Sequence, residues 1–182
     1  MIKIIGGIYR SRIIFSPDER TIPSKNRTRE GIANALNNYF PNATVLDLFA
    51  GSGALGIEAI SRGGDKCFFF DTSDSAISCI NKSLQSLKCP NGEAKRMDYL
   101  KGIQELKERN IKIDIVFIDP PYKEKDYYLL STKALHEAGI LKENAILILE
   151  YEGEEIPFSQ DFIEERRYSY GRSKAIMLRE RK

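Results

Sequence analysis

The segment VLDLFAGSGALG, residues 45–56, restricts the fold of this chain more than any other. It opens as an apolar run typical of a buried strand, and then places glycines at 51, 53 and 56 in the pattern G-x-G-x-x-G. Small residues let a ligand approach the backbone of a tight turn, and the helix that follows offers free N–H groups. This order of strand, turn and helix predicts a βαβ unit that binds an adenosine-bearing cofactor.

Strand-like and helix-like segments alternate through the middle of the chain. The predicted strands cover residues 43–49, 66–71, 92–97, 112–119 and 145–151. The predicted helices cover residues 54–61, 74–88, 99–109 and 126–138, and Ser73 or Asp74 is expected to cap the second of them. Such alternation predicts a parallel sheet with helices on both faces. A further strand pair, 162–170 and 173–181, turns at Gly171 and is predicted to close one sheet edge.

The N-terminus is predicted to form a hairpin outside this alternating unit. Segments 2–5 and 8–15 are typical of two short strands, and Gly6-Gly7 lies between them. We therefore expect a single domain, 1–182, in which residues 1–25 form a hairpin extension.

A polar connector and a helix are expected to follow the hairpin. Ser24 or Asn26 is a suitable cap for this helix, because their side-chain oxygens can accept from free N–H groups. The helix is expected to run to about Tyr39 and to end at Pro41-Asn42.

Composition excludes several classes of protein. The chain is 42% apolar and 30% charged, which is typical of a globular domain with its own core. No apolar run reaches the length of a membrane span, and the N-terminus lacks the apolar segment of a signal peptide. Three cysteines, at 67, 79 and 89, show no metal-type spacing, so we expect reduced thiols in a cytoplasmic protein and no metal site. His136 is the single histidine, which leaves little material for histidine-based catalysis.

Basic residues concentrate at both ends of the chain. Residues 1–30 hold seven Lys or Arg against three Asp or Glu, and residues 166–182 hold seven against one. Basic ends around an acidic body favour a polyanion as partner. The residues predicted to bind nucleic acid are Arg10, Arg12, Arg20, Lys25, Arg27 and Arg29.

Acidic residues at the predicted strand ends indicate which cofactor is bound. Asp71 ends the second alternating strand, twenty residues after Gly51, where a carboxylate can accept both hydroxyls of a ribose. Asp47 lies within the end of the first, four residues before Gly51, where it would repel a pyrophosphate but suits the ammonium group of S-adenosylmethionine. Asp98 either accepts from the adenine amine or caps the next helix, and both roles are compatible. The predicted cofactor-binding residues are Asp47, Phe49, Gly51, Gly53, Asp71, Thr72 and Asp98.

The segment FIDPPY, residues 117–122, ends another buried strand abruptly, because proline lacks the N–H that a strand needs. An exocyclic amine of a base is a poor nucleophile, since its lone pair is delocalised into the ring. The Asp119 carboxylate and the Pro120 carbonyl are predicted to accept hydrogen bonds from the two N–H groups of this amine. Pro121 is predicted to stiffen the turn. Tyr122 offers a face on which the base can stack. A base paired in a duplex cannot reach such a site, so the target is single-stranded or flipped out.

These motifs together resemble the Rossmann-like S-adenosylmethionine methyltransferases that act on amino groups. Five segments are similar to the bacterial family that methylates the N2 amine of one guanine in 16S ribosomal RNA. They are IIGGIYRSRIIF at 4–15, RTRE at 27–30, GALGIEAISRG at 53–63, VFIDPPY at 116–122 and YGRSKAIML at 170–178.

The resemblance implies a fold and a partner. The fold is a Rossmann-like α/β one, a mostly parallel seven-stranded sheet with an antiparallel last strand, preceded by a small β-hairpin and helix. The cofactor is S-adenosylmethionine, and the partner is 16S rRNA within an assembling small ribosomal subunit, bound by a monomer. The chain departs from the family at Ile22-Pro23-Ser24, where the family has Arg-Pro-Thr, and at Phe70-Asp71, where it often has Val-Glu.

Three other functions fit part of the pattern. A methyltransferase acting on N6 of adenine, or on a protein amide, would use the same two sites. An NAD-dependent oxidoreductase shares the glycine pattern and Asp71 but leaves FIDPPY without a role. An RNA-binding module without activity would retain the fold and would not need Asp119.

Overall fold

The computed structural model describes residues 2–17, 23–121 and 124–181, and only the backbone of residues 23–25. The helices defined in these ranges are α1 Pro23–Ala35, α2 Ala54–Ser61, α3 Asp74–Leu87, α4 Tyr99–Glu108 and α5 Asp126–Ala138. The strands are β1 Ile2–Lys3, β2 Ile13–Ile14, β3 Thr44–Asp47, β4 Lys66–Asp71, β5 Gly92–Arg96, β6 Ile113–Ile118, β7 Leu141–Glu152, β8 Phe162–Tyr170 and β9 Ser173–Glu180. None of the described helices is long and apolar enough to cross a membrane.

Seven strands form one sheet in the order β5-β4-β3-β6-β7-β9-β8. The first five of these strands run parallel to one another, and β9 runs antiparallel to both β7 and β8. The predicted architecture is therefore confirmed, including the terminal strand pair that closes one edge. The last strand in the sequence, β9, lies inside the sheet, and β8 forms the edge.

The parallel strands are buried on both faces, which explains their nearly continuous apolar sequences. Along β4, Cys67 and Phe69 face a core that includes residues of α1, α2 and α3. Phe68 and Phe70 face the opposite core, which includes residues of α4 and α5. This alternation is the period-two geometry of a strand, and it produces the helix–sheet–helix layering.

The strand order reverses beside β3, which pairs with β4 on one side and with β6 on the other. On one side of this point the parallel strands continue from β3 to β4 and β5, and on the other side they continue from β6 to β7. Open α/β sheets bind ligands at the carboxyl ends of their strands beside such a switch point. The glycine turn follows β3 and the Asp-Pro-Pro segment follows β6, so the topology brings these two motifs to the same rim.

The N-terminal hairpin is tied to α2, the helix that follows the glycine turn. Backbone N–H groups of Ile5 and Gly6 donate to the carboxylate of Glu58 at 2.9 and 2.7 Å. The hydroxyl of Ser61 donates to the carbonyl of Gly6 at 2.5 Å. A Cβ at Gly7 would lie 1.7 Å from the carbonyl oxygen of Ser61, and Gly7 also has a positive φ of 74°. This close approach therefore requires glycine.

The hairpin itself is shorter than the sequence predicts. Strands β1 and β2 pair antiparallel, but residues 8–11 form turns and β2 begins only at Ile13. The N–H groups of Ile8 and Tyr9 donate instead to the backbone carbonyl and side-chain hydroxyl of Ser61, at 2.7 and 2.9 Å. Contact with α2 thus replaces the ladder that the local pattern predicted.

Helix α1 also differs from its prediction at both ends. It begins at Pro23, so Ser24 and Asn26 lie inside the helix and neither is its cap. Proline suits the first position because the N–H that it lacks would be unpaired there. The helix ends at Ala35, and residues 36–39 continue as turns. The cap of α3 at Ser73 is confirmed, since its hydroxyl accepts from the N–H of Ala76 at 3.3 Å.

Candidate active site

A cavity of about 630 Å³ lies at the carboxyl rim of the sheet. Nine of the residues predicted to bind the cofactor or to act on the target base line it: Asp47, Phe49, Gly51, Asp71, Thr72, Asp98, Asp119, Pro120 and Pro121. Gly53 is the N-cap residue of α2 and is not among the residues that line the cavity. Tyr122 falls outside the described residues. The rim therefore brings together the two motifs that the sequence separates by some seventy residues.

The glycine turn presents bare backbone to the cavity. Gly51 and Gly53 have positive φ angles of 53° and 70°. A Cβ built on Gly51 meets no atom within 4 Å, whereas one on Gly56 would lie 2.3 Å from the ring of Phe69. The first glycine thus keeps space open for a ligand, and Gly56 allows α2 to pack closely on β4.

Asp71 holds the turn in place from the end of β4. One carboxylate oxygen accepts from the N–H of Gly51 and the other from the N–H of Ser73, both at 2.8 Å. Each oxygen retains a lone pair that can accept a further hydrogen bond. Asp71 therefore organises the turn and still presents acceptors to the cavity.

Asp47 is an acid of the site whose pKa is strongly raised. It is buried at the end of β3, and its carboxylate accepts from the N–H of Gly56 at 3.3 Å. The pKa of Asp47 is raised to about 7, chiefly because the carboxyl is buried; the hydrogen bond from Gly56 lowers it, and the negative charges of Asp119 and Asp71 contribute to the rise. A cation placed beside Asp47 would favour its ionised form.

Asp98 is confirmed as the cap of α4, because its carboxylate accepts from the N–H of Leu100 at 2.9 Å. Its side chain also lines the cavity, so the second predicted role, as acceptor for an adenine amine, remains a prediction. Asp119 and Pro120 follow β6 directly; Asp119 is half-buried and Pro120 is buried.

Three aromatic rings form a cluster on the cavity wall that the sequence did not predict as a unit. Phe49 lies 5.4 Å from Tyr99 and 5.8 Å from Tyr127 between ring centroids, and the two tyrosines are 5.4 Å apart. Both tyrosines occupy the first turn of a helix that follows a strand at this rim. That position was a usable signal, because the first turn after a strand lies at the carboxyl edge of the sheet.

The predicted RNA-binding residues divide into two groups. Arg10 and Arg12 are exposed on the hairpin, and Arg27 is exposed on α1. Arg29, only two residues further along, is 7% exposed and lines the cavity with Asn26. Arg20 and the side chain of Lys25 lie outside the described residues, as does Ile22.

The fold and this site define the class of protein: a methyltransferase of the Rossmann-like α/β type. A solved structure described as "Putative methyltransferase yhhF from Escherichia coli" superposes with a TM-score of 0.85, at 27% identity, over 98% of this chain and 97% of that one. The family model described as conserved hypothetical protein 95 matches residues 2–179.

The chain belongs to that family, which is the family of the ribosomal RNA small subunit methyltransferase D proteins. The protein of that name from Haemophilus influenzae is 33% identical over 83% of this chain and 79% of its own length. "Putative rRNA methyltransferase YlbH" of Bacillus subtilis is 31% identical over 98% of this chain and 99% of its own length. The resemblance inferred from the five sequence segments is confirmed.

Proposed function

We propose that this chain transfers the methyl group of S-adenosylmethionine to the exocyclic N2 amine of a guanine in 16S rRNA. The observation that carries the proposal is that the glycine turn and Asp119-Pro120-Pro121 line one cavity. Transfer between two bound molecules requires that donor and acceptor be held in contact. The printed names of the relatives, which are ribosomal RNA small subunit methyltransferases, support the class of substrate.

The residues of the cavity fit S-adenosylmethionine. The open space at Gly51 admits a ligand against bare backbone. Asp47 receives the ammonium group, Asp71 the ribose hydroxyls and Asp98 the adenine amine, and Phe49 and Thr72 contribute to the same wall. The cofactor supplies a methyl group bonded to a positively charged sulfur. The leaving group is the neutral thioether, which needs no proton.

Asp119 and the carbonyl of Pro120 act on the amine of the target base. Each accepts a hydrogen bond from one of the two N–H groups of the amine. These hydrogen bonds favour a pyramidal nitrogen whose lone pair is available for attack. The N–C bond forms as the C–S bond breaks, and the cationic nitrogen then loses a proton to solvent or to Asp119. The burial of Pro120 supports this role, because hydrogen bonds in a site that excludes water are stronger. Tyr122 stacks on the base.

The hairpin extension, residues 1–25, and α1 contact RNA. Arg10, Arg12 and Arg27 are exposed there. The other two predicted contacts, Arg20 and the side chain of Lys25, lie outside the described residues. Contacts of this kind bind phosphates, so they position the RNA and do not distinguish its sequence. Affinity for RNA is therefore expected to fall steeply with salt concentration. The substrate is an assembling small ribosomal subunit in the cytoplasm, and the enzyme acts as a monomer.

The test is transfer of labelled methyl from S-adenosylmethionine to small ribosomal subunits, 16S rRNA and DNA from cells that lack this gene. Mass spectrometry of the product nucleosides then identifies the modified atom. Label in N2-methylguanosine of rRNA is the expected result. Label in N6-methyladenine would change the substrate but keep the cofactor. Binding of NADH without binding of S-adenosylhomocysteine would overturn the proposal.

Two variants separate the assigned roles. Asp119→Ala is expected to abolish transfer with little change in affinity for S-adenosylhomocysteine, because Asp119 acts on the amine. Asp71→Ala is expected to weaken that affinity, since it removes the ribose acceptor and a support of the glycine turn. Asp65→Ala, an exposed acid outside the cavity, is the matched control. Equal loss of cofactor affinity in the first two variants would contradict the assignment.

A further inference from the structure

Arg29 is a buried cation whose environment does not use all of its donors. The residue is 7% exposed, and its Nη2 donates to the carbonyl of Lys3 at 2.9 Å. Its Nε is buried and has no hydrogen-bond partner among the described residues. Buried polar atoms without a partner are rare, because each forfeits its hydrogen bonds with water. A donor without a partner on a buried guanidinium therefore indicates a ligand that accepts its hydrogen bond.

Arg29 is also one of the residues that line the cavity. Arg29 and Asn26 lie three residues apart in α1, hence on the same face of the helix, and both line the cavity. Arg29 is the one cationic side chain among the described residues that line it. The acidic residues of the lining are Asp47, Asp71, Asp98, Asp119, Glu124 and Glu150.

The charges of the proposed cofactor match this distribution. S-adenosylmethionine carries an ammonium and a sulfonium, which suit the acidic lining, and one carboxylate, which does not. Guanidinium is well suited to carboxylate, because its planar N–H groups match the two oxygens. We propose that Arg29 binds the α-carboxylate of the methionine moiety and so fixes the amino-acid end of the cofactor beneath α1. This inference rests on the proposed function.

The burial of Arg29 argues against the phosphate contact predicted from its sequence neighbourhood. A phosphate of polymeric RNA would have to enter the cavity to reach this side chain, whereas the carboxylate of a small ligand is already inside. Burial lowers the pKa of Arg29, and the nearby charges of Glu58, Glu30 and Glu150 oppose that effect. The protein thus retains a guanidinium here although desolvation disfavours it.

The test compares two ligands that differ only in the carboxylate. S-adenosylhomocysteine and its decarboxylated analogue, S-adenosyl-3-thiopropylamine, are titrated into the wild-type protein, Arg29→Gln and Arg29→Lys. The wild type is expected to prefer S-adenosylhomocysteine about 10- to 100-fold, the contribution of a charge-assisted hydrogen bond. Arg29→Gln is expected to lose that preference while its affinity for the analogue is unchanged, and Arg29→Lys to retain part of it. Arg27→Gln, which changes an exposed arginine two residues away, is expected to keep the wild-type ratio of the two ligand affinities.

Because each variant is measured with both ligands, a general loosening of the fold lowers both affinities and leaves their ratio intact. A preserved preference in Arg29→Gln would therefore overturn the inference, and so would its absence in the wild type. Loss of rRNA affinity in Arg29→Gln, with the ligand preference preserved, would assign Arg29 to phosphate instead. Failure of the wild type to bind either ligand would overturn the proposed cofactor, and the inference with it.

Discussion

Glu58 connects the N-terminal hairpin to the helix of the glycine turn, and its replacement by alanine provides the sharpest test of the fold. The carboxylate is completely buried. It accepts from the N–H groups of Ile5 and Gly6 and from Nε of Arg62, the last at 2.8 Å. Glu58→Ala therefore leaves the two amides and the Nε of Arg62 without this acceptor.

The expected loss of unfolding free energy follows from these contacts. Removing one partner of a buried ion pair costs about 3–5 kcal/mol. Arg62 keeps two other acceptors, the side chain of Asn37 at 3.0 Å and the carbonyl of Ala33 at 3.3 Å. We therefore expect the lower end, about 3 kcal/mol, which corresponds to a fall in melting temperature of about 6–12 °C.

Two measurements check this expectation. Urea unfolding gives the change in free energy, and hydrogen exchange gives the protection of the amides at Ile5 and Gly6, which should fall in the variant. Glu30→Ala, an exposed glutamate on α1, is the control and should change stability little. A loss below 1 kcal/mol with unchanged exchange at both amides would refute the role of Glu58. We also expect weaker binding of rRNA and nearly unchanged binding of S-adenosylhomocysteine.

Two further predictions concern the cavity. Gly51→Ala is expected to weaken binding of S-adenosylhomocysteine with a loss of about 1–2 kcal/mol in stability from the positive φ, whereas Gly56→Ala should destabilise folding more, since its Cβ would meet the ring of Phe69. Calorimetry gives the ligand affinity of each variant, and urea unfolding gives its stability. If the loss of affinity relative to the loss of stability were the same in both variants, the prediction would be contradicted. The pKa of Asp47, about 7, predicts that affinity for S-adenosylhomocysteine falls as pH decreases from 8 to 6, because protonation removes the charge that attracts the ammonium. Asp47→Asn should flatten this profile, and a wild-type affinity independent of pH would refute the assignment. In the free protein the same raised pKa lowers stability as pH rises from about 4 to 7, because the folded state retains a proton that the unfolded state has lost.

Local sequence patterns predicted most of the elements correctly. The bounds of α2 and α5 agree with their predictions, and β4 does as well. Each of these elements is flanked by strong local signals, such as the glycine turn before α2 and Gly139 after α5. Predictions were wrong where a tertiary contact outweighed the local pattern, as at Ile8 and Tyr9, whose N–H groups donate to Ser61.

The candidate site likewise has a part that the sequence predicted and a part that it did not. Asp47, Asp71 and Asp119 were predictable as a group, because the carboxyl ends of parallel strands share one edge of a sheet. For Phe49, Tyr99 and Tyr127 the sequence signals extended only to their place at this rim. The contact between the three rings was not predictable, because it depends on how two helices pack.

The sequence by itself determined the order of the strands and helices and the presence of acids along one rim, since periodicity and turn chemistry act over a few residues. Only the tertiary structure decided which charges are buried. Arg27 and Arg29 are two residues apart in one basic segment, yet one is exposed and the other lines the cavity. Glu58 is likewise an ordinary helix residue until the hairpin, more than fifty residues away in sequence, covers it. The physical reason is that burial depends on the packing of segments distant in the chain, which no local pattern encodes.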